Sequence, residues 1–194
     1  MSGFSTARQK MVDGQVRPSD VTDIRIIDAM LAVPRETFVP ENKRALAYLD
    51  FDLDVSEDGS ASRFLIQPAV LARMLQAAEI KETDHVLVVG CGTGYAAAVI
   101  AKFAGQVHST ASADGDPASA PFDVIVLNGA TEIVPEKLYG QLREGGRLVG
   151  VFAMSQPQRA TIVTRSHGDF GNRALFDAAV PVLPGLERLP AFVF

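Results

Sequence analysis

The sequence predicts an α/β fold, a mostly parallel sheet with helices on both faces and an N-terminal helical annex. Three observations carry this. His85-Val86-Leu87-Val88-Val89 is a short apolar run rich in valine, the pattern of a strand buried on both faces. It stops at Gly90-Cys91-Gly92-Thr93-Gly94, after which an alanine-rich helical run ends near Gly105. Phe122-Asp123-Val124-Ile125-Val126-Leu127 then repeats the buried-strand pattern. A strand, a glycine turn and a helix start together let a nucleotide-like ligand approach bare backbone.

The 194 residues suit one compact unit, with residues 1–80 as a helical segment on the substrate side and 81–194 as the core. Apolar residues make up 47% of the chain, yet no run approaches the roughly 20 that a membrane span needs. MSGFSTARQKMVDGQ lacks the apolar centre of a signal peptide, so the cytoplasm is the expected compartment. A net charge of −5 gives no footprint for nucleic acid. The single cysteine, Cys91, excludes an internal disulfide framework and reads as a small filler in the glycine turn. His85, His108 and His167 have no second ligand at i+3 or i+4, so no metal site is expected.

Residues 4–16 and 23–33 carry helical spacing. In the second stretch Ile24, Ile27, Met30 and Leu31 fall on one face, with Asp20 or Thr22 as N-cap. Pro34 ends it, and VPRETFVPE and ALAYLD follow. Asp50 to Ser62 is polar and acidic and reads as a loop. Phe64-Leu65-Ile66-Gln67-Pro68 leads into an apolar helix over 69–79 that Pro68 can start. Beyond the glycine turn, residues 106–120 show neither helix nor apolar strand. Pro135 to Leu142 reads as a helix and Glu144 to Val151 as a turn and strand. Gln158 to Arg165 and Ala174 to Val180 form a closing antiparallel pair, and the tail from Pro190 to Phe194 is apolar and expected to pack.

The spacing Gly90-x-Gly92-x-Gly94 is not a dinucleotide fingerprint, because Tyr95 stands three positions after Gly92. It resembles motif I of the class I S-adenosylmethionine (AdoMet) methyltransferases, a Rossmann-like fold; a turn that only packs strand on helix is the alternative. VPRETFVPE with ALAYLD resembles the N-terminal signature of the protein-L-isoaspartate O-methyltransferases. Glu144-Gly145-Gly146-Arg147-Leu148-Val149 resembles a later motif of that family, and the likeness runs from about Ala7 to Pro184.

The resemblance implies an AdoMet-dependent enzyme that methylates a carboxylate of damaged aspartyl residues in protein or peptide substrates. It places cofactor contacts at Gly90, Cys91, Gly92, Gly94, Tyr95, Asp114 and Asn128, and substrate contacts at Ile66, Gln67 and Pro68. For Asp114 a plain turn with Gly115, and for Asn128 a turn-capping amide, are equal alternatives.

The chain departs from the pattern in three places. Where the family shows Thr-Ile-Ser-Gln-Pro, Ile66 replaces the serine and cannot hydrogen-bond through its side chain. Val88 stands where motif I carries an acid. The third is the interval of 16 residues between Gly105 and Phe122, where a strand, helix and further strand need roughly 25–35. Either a βα unit is absent, or residues between Val107 and Ala113 are missing from the chain; the abrupt end of a strand begun at Val107 favours the second. A weakened relative serving as a cofactor-sensing or partner-binding module, and a methyltransferase for another acceptor, are the competing functions.

Overall fold

The computed structural model describes residues 3–56, 62–90 and 92–189. A six-stranded sheet forms the centre, in the order β4-β3-β5-β6-β7-β8. Its strands are β3 His85–Val89, β4 Gln106–Thr110, β5 Phe122–Thr131, β6 Leu142–Phe152, β7 Arg159–Ser166 and β8 Asp169–Asp177. Strands β4, β3, β5 and β6 run parallel, and β7 and β8 close the sheet antiparallel. Two-residue β1 (Leu53–Asp54) and β2 (Phe64–Leu65) pair antiparallel outside it.

Strand alternation sorts the core into two faces. Val86, Val88, Val124, Val126 and Val149 meet the N-terminal segment and the helices α1 Gly3–Met11, α2 Ile24–Ala32, α3 Pro68–Ala77 and α4 Tyr95–Ile100. Leu87, Val89, Ile125, Leu127 and Leu148 face the other way. Among the described residues, that second face carries only the four-residue α5 (Glu136–Tyr139) as helix, with Ala113, Ala120, Leu183 and Leu186 completing the cover. The helices are therefore unequally shared between the two faces.

The glycine turn follows β3, a strand held at its start by buried charge. Asp84 pairs with Arg147 at 2.7 Å, and Arg147 also donates to the Ala78 and Glu79 carbonyls. Asp123 accepts from the His85 amide at 2.8 Å and pairs with Arg143 at 2.6 Å. These contacts hold together the amino-terminal ends of β3 and β5 and fix the level at which their carboxyl ends emerge.

Several elements differ from the sequence reading. The first helix stops at Met11 and continues as a wide turn over Val12–Val16. Asp23, rather than Asp20 or Thr22, caps α2 by accepting from the Arg25 amide at 2.9 Å. Its buried face is Ile26, Ile27, Ala29 and Met30, whereas Ile24 is 58% exposed in the first turn. Residues 106–110 form β4, a complete strand whose register runs from His85↔Gln106 to Val89↔Thr110. Its polar composition suits an edge, which packs on one neighbour and needs no continuous apolar run. The chain then crosses directly to β5 through residues 111–121. β8 begins at Asp169 because His167 and Gly168, both at positive φ, make a two-residue hairpin turn. Part of the acidic loop, residues 57–61, and the tail 190–194 lie outside the described residues, as does Cys91.

The N-terminal segment is locked to the core by a polar cluster. Arg8 donates to the Tyr48 hydroxyl at 3.0 Å and pairs with Glu36 at 3.2 Å, and Tyr48 donates to Glu36. Burial, then the bond to Glu36, pushes the Tyr48 phenol up to about 12. The folded state thus keeps this proton above pH 10.0, where the unfolded chain releases it. The contribution is full below pH 10.0 and is lost as pH rises toward about 12. Denaturation midpoints measured across that window are expected to fall less steeply in Tyr48→Phe than in the wild type. Equal slopes would show that Tyr48 does not govern the alkaline limb.

Among the described residues no helix is long and apolar enough to cross a membrane.

Candidate functional site

The carboxyl ends of β3, β4 and β5 form one edge, where ligands of parallel sheets bind. Gly90 leaves β3 at φ +77°, and its amide donates to the Thr110 carbonyl at 3.0 Å, tying the turn to β4. The β5–β6 register is irregular between Val126 and Ala130. This bulge re-aims Asn128, which is 6% exposed and donates through Nδ2 to the Gly90 carbonyl at 3.1 Å.

Two cavities adjoin the turn. One, of about 290 Å³, is bordered by Gly90, Gly92, Ala111, Asn128, Phe64 and the segment Pro181-Val182-Leu183-Pro184. The other, of about 320 Å³, lies between Gly92-Thr93 and Thr37-Phe38-Val39-Pro40. Arg63 lines both. A larger groove of about 640 Å³ lies away from the turn, against α5 and β7–β8. Strand polarity, and not volume, places the candidate chemistry at the smaller pair.

Residues 180–188 form a strap along the extension of β5. Ala130 N donates to Pro181 O at 2.8 Å, Leu183 N to Ala130 O at 2.9 Å, and Glu132 N to Leu186 O at 2.9 Å. The Arg188 amide adds a bond to the Glu132 carboxylate at 2.8 Å. The strap lays Leu183 over the glycine turn. A β-carbon built on Gly90 would stand 2.3 Å from Leu183 Cδ2, and one on Gly129 would stand 2.6 Å from the same atom.

The N-terminal signature reaches the turn through Arg35, which is 1% exposed. Its Nε donates to the Ala47 carbonyl at 2.7 Å and one terminal nitrogen to the Ile66 carbonyl at 2.6 Å. Its guanidinium lies 4.8 Å from the centroid of the Tyr95 ring, which also meets Phe38 edge-on at 5.6 Å. Burial lowers the Arg35 pKa, while Tyr95, Tyr48 and Asp52 oppose that shift. Burial likewise raises the Asp52 carboxyl, which accepts from the Gln67 amide at 2.9 Å.

The structure therefore brings Gly90, Gly92 and Asn128 together around one cavity. Gly94, at φ +82°, leads directly into α4. Tyr95 is 1% exposed and works as a core anchor between Arg35 and Phe38. Asp114 stands apart, pairing with Lys137 at 2.8 Å in a recess with Ala113, Ile133 and Gly185. Ile66 is 1% exposed, its side chain in the core and its carbonyl held by Arg35. Pro68 opens α3 at its first position. Val88 is fully buried against the helical layer, so its side chain does not face the cavity.

The sequence reading missed Arg63 and the strap. Arg63 carried one signal, a cation standing between an acidic loop and an apolar segment. The strap carried none, since its role depends on a distant strand.

The family model for protein-L-isoaspartate(D-aspartate) O-methyltransferase matches residues 6–114 and 106–176. The two stretches overlap at 106–114, over β4 and the start of the crossover to β5. A protein-L-isoaspartate O-methyltransferase of Koribacter versatilis is 33% identical over 219 aligned positions, covering 98% of this chain and 97% of the relative. Since 98% of 194 residues is about 190, roughly 29 aligned positions have no counterpart in this chain. A Rhodopseudomonas palustris protein of the same name is 35% identical over 206 positions, covering 91% of this chain and 93% of that one.

Among solved structures, a protein-L-isoaspartate O-methyltransferase superposes with a TM-score of 0.79 at 24% identity, over 93% of this chain and 67% of the other. A Plasmodium falciparum structure described under the same enzyme name, in complex with S-adenosyl-L-homocysteine, gives 0.72 at 17% identity, over 94% and 99%. These two likenesses concern the fold, which is the Rossmann-like methyltransferase architecture. With the glycine turn, the N-terminal signature and the family model agreeing over most of its length, this chain belongs to the protein-L-isoaspartate(D-aspartate) O-methyltransferase family.

Proposed function

We propose that the protein is an AdoMet-dependent O-methyltransferase acting on the carboxylate of damaged aspartyl residues in proteins and peptides. The observation that carries this is the family match across nearly the whole chain, coinciding with a cavity where the glycine turn meets the carboxyl ends of β4 and β5. The residues present fit the cofactor at the turn. Gly90 and Gly92 leave backbone bare where it borders the cavity, and Asn128 braces the turn from β5. In this reading Gly90, Gly92, Ala111 and Asn128 hold the cofactor.

When bound, AdoMet supplies an electrophilic methyl group. The acceptor carboxylate is already ionised and nucleophilic at neutral pH, so this chain's residues have no proton to move. Their task is alignment and exclusion of water. Phe64, Phe38 and Leu183 supply apolar walls, while Arg35 and Asp52 hold the backbone of residues 66 and 67, which follow Phe64 in the chain.

S-adenosylhomocysteine is expected to bind at the turn, and Val88, turned toward the helical layer and away from the cavity, adds no charged contact to it. Calorimetric titration with S-adenosylhomocysteine measures this, and methyl transfer to an isoaspartyl peptide beside its normal aspartyl counterpart measures the reaction. Transfer confined to the isoaspartyl peptide is the expected result. Binding without transfer to either peptide would instead support the cofactor-sensing reading.

A further inference from the structure

We infer that Arg63 is the carboxylate-reading residue of this site, an inference that rests on the methyltransferase reading above. Arg63 lies where its backbone is fixed. Its amide donates to Ser56 Oγ at 2.8 Å and its carbonyl accepts from the Val55 amide at 2.9 Å. From this anchor the side chain crosses the glycine turn. A β-carbon on Gly92 would meet Arg63 Cβ at 2.9 Å, Cγ at 3.0 Å and Cδ at 3.3 Å, so the missing side chain at 92 is what admits the arginine stem. One terminal nitrogen reaches the Gly92 carbonyl at 3.5 Å.

The side chain thereby borders both cavities at the carboxyl edge. Among the described residues, no other one lining either cavity is charged. The surroundings are glycine, apolar side chains, two threonines, a serine and Asn128. In a chain of net charge −5, an anionic ligand approaching this edge requires a local cation. A planar guanidinium matches a carboxylate in two parallel bonds, and its five N–H groups allow it to hold protein partners and a ligand together. The alternative donor position is unavailable, because Ile66 has its side chain in the core. Arg63 therefore takes over carboxylate recognition in this chain. Both reaction partners offer one, the acceptor aspartyl group and the amino-acid end of the cofactor.

The experiment separates these sources with Arg63→Gln and Arg63→Lys, each first confirmed as folded by circular dichroism. Calorimetry is run with S-adenosylhomocysteine and with methylthioadenosine, which keeps the nucleoside and sulfur but lacks the amino-acid end. KM and kcat are measured for an isoaspartyl peptide. If Arg63 reads the cofactor carboxylate, Arg63→Gln loses tenfold or more in affinity for S-adenosylhomocysteine and nothing for methylthioadenosine. If it reads the acceptor, both nucleosides bind as before and KM for the peptide rises tenfold or more at little change in kcat. In both cases Arg63→Lys recovers part of the loss. Unchanged nucleoside binding together with unchanged KM would overturn the inference and leave the function standing. A wild type that binds S-adenosylhomocysteine but methylates no isoaspartyl peptide would remove the function, while the ratio of the two nucleoside affinities still decides the role of Arg63. A wild type that binds neither nucleoside and methylates no peptide would overturn both.

Discussion

Replacing Arg35 with alanine is expected to destabilise the protein by about 3–5 kcal/mol, among the largest effects a single substitution can have here. The side chain is 1% exposed and satisfies two buried carbonyls, those of Ala47 and Ile66. Its loss leaves both acceptors without that donor and opens a cavity under Tyr95. For a chain of this size each kcal/mol lowers the melting temperature by about 2–4 °C, so a fall of roughly 10 °C is expected. Arg35→Met separates the causes, since methionine restores much of the volume but none of the donors. It should remain well below the wild type. A methionine variant as stable as the wild type would show that Arg35 serves only as filler. Because the Ile66 carbonyl is one of its partners, the alanine variant should also loosen residues 64–68. Among molecules still folded, KM for the peptide is then expected to rise.

Gly90→Ala is the second large effect. The residue sits at φ +77°, which a β-carbon disfavours, and that carbon would overlap Leu183 Cδ2. Strain and overpacking together are expected to cost about 2–4 kcal/mol. Leu183→Ala alone should cost about 2–3 kcal/mol by leaving a void under the strap. The two side chains contend for one space, so the double variant should be at least about 1 kcal/mol more stable than the sum of the singles predicts. Chemical denaturation of all four proteins measures this coupling. Strict additivity would mean that the strap moves aside freely, and that Leu183 does not set the floor of the cavity. S-adenosylhomocysteine binding is expected to be lost in Gly90→Ala, because the added carbon displaces Leu183 toward the space the ligand would enter.

The motifs that named the family were legible because each depends on neighbours in sequence. Val33-Pro34-Arg35 and Phe38-Val39-Pro40 are a helix stop and short turns, and the structure keeps them as such. The roles of their members were less visible. Arg35 reads locally as a polar residue after a proline, yet it becomes the internal brace between the N-terminal segment and α4. Ile66 stands at a substrate-contact position of the family motif that Gln67 and Pro68 match, and an isoleucine side chain offers no hydrogen bond there. The fold turns its side chain into the core and leaves only its carbonyl for Arg35. Asp114, which likeness assigns to a cofactor loop and local sequence equally to a turn, pairs with Lys137 on the crossover from β4 to β5.

Local sequence was sufficient for β3, β5 and the glycine turn between β3 and α4. A valine-rich run buried on both faces, and glycines at positive φ, are selected by neighbouring residues and backbone sterics alone. Only the tertiary structure decided that the polar residues 106–110 form β4, because an edge strand is defined by hydrogen bonds to its neighbour and not by its own apolarity. It alone placed Arg63 across Gly92, and Leu183 across Gly90 and Gly129. Those contacts join residues far apart in the chain, and their close approach requires the sheet to be assembled first.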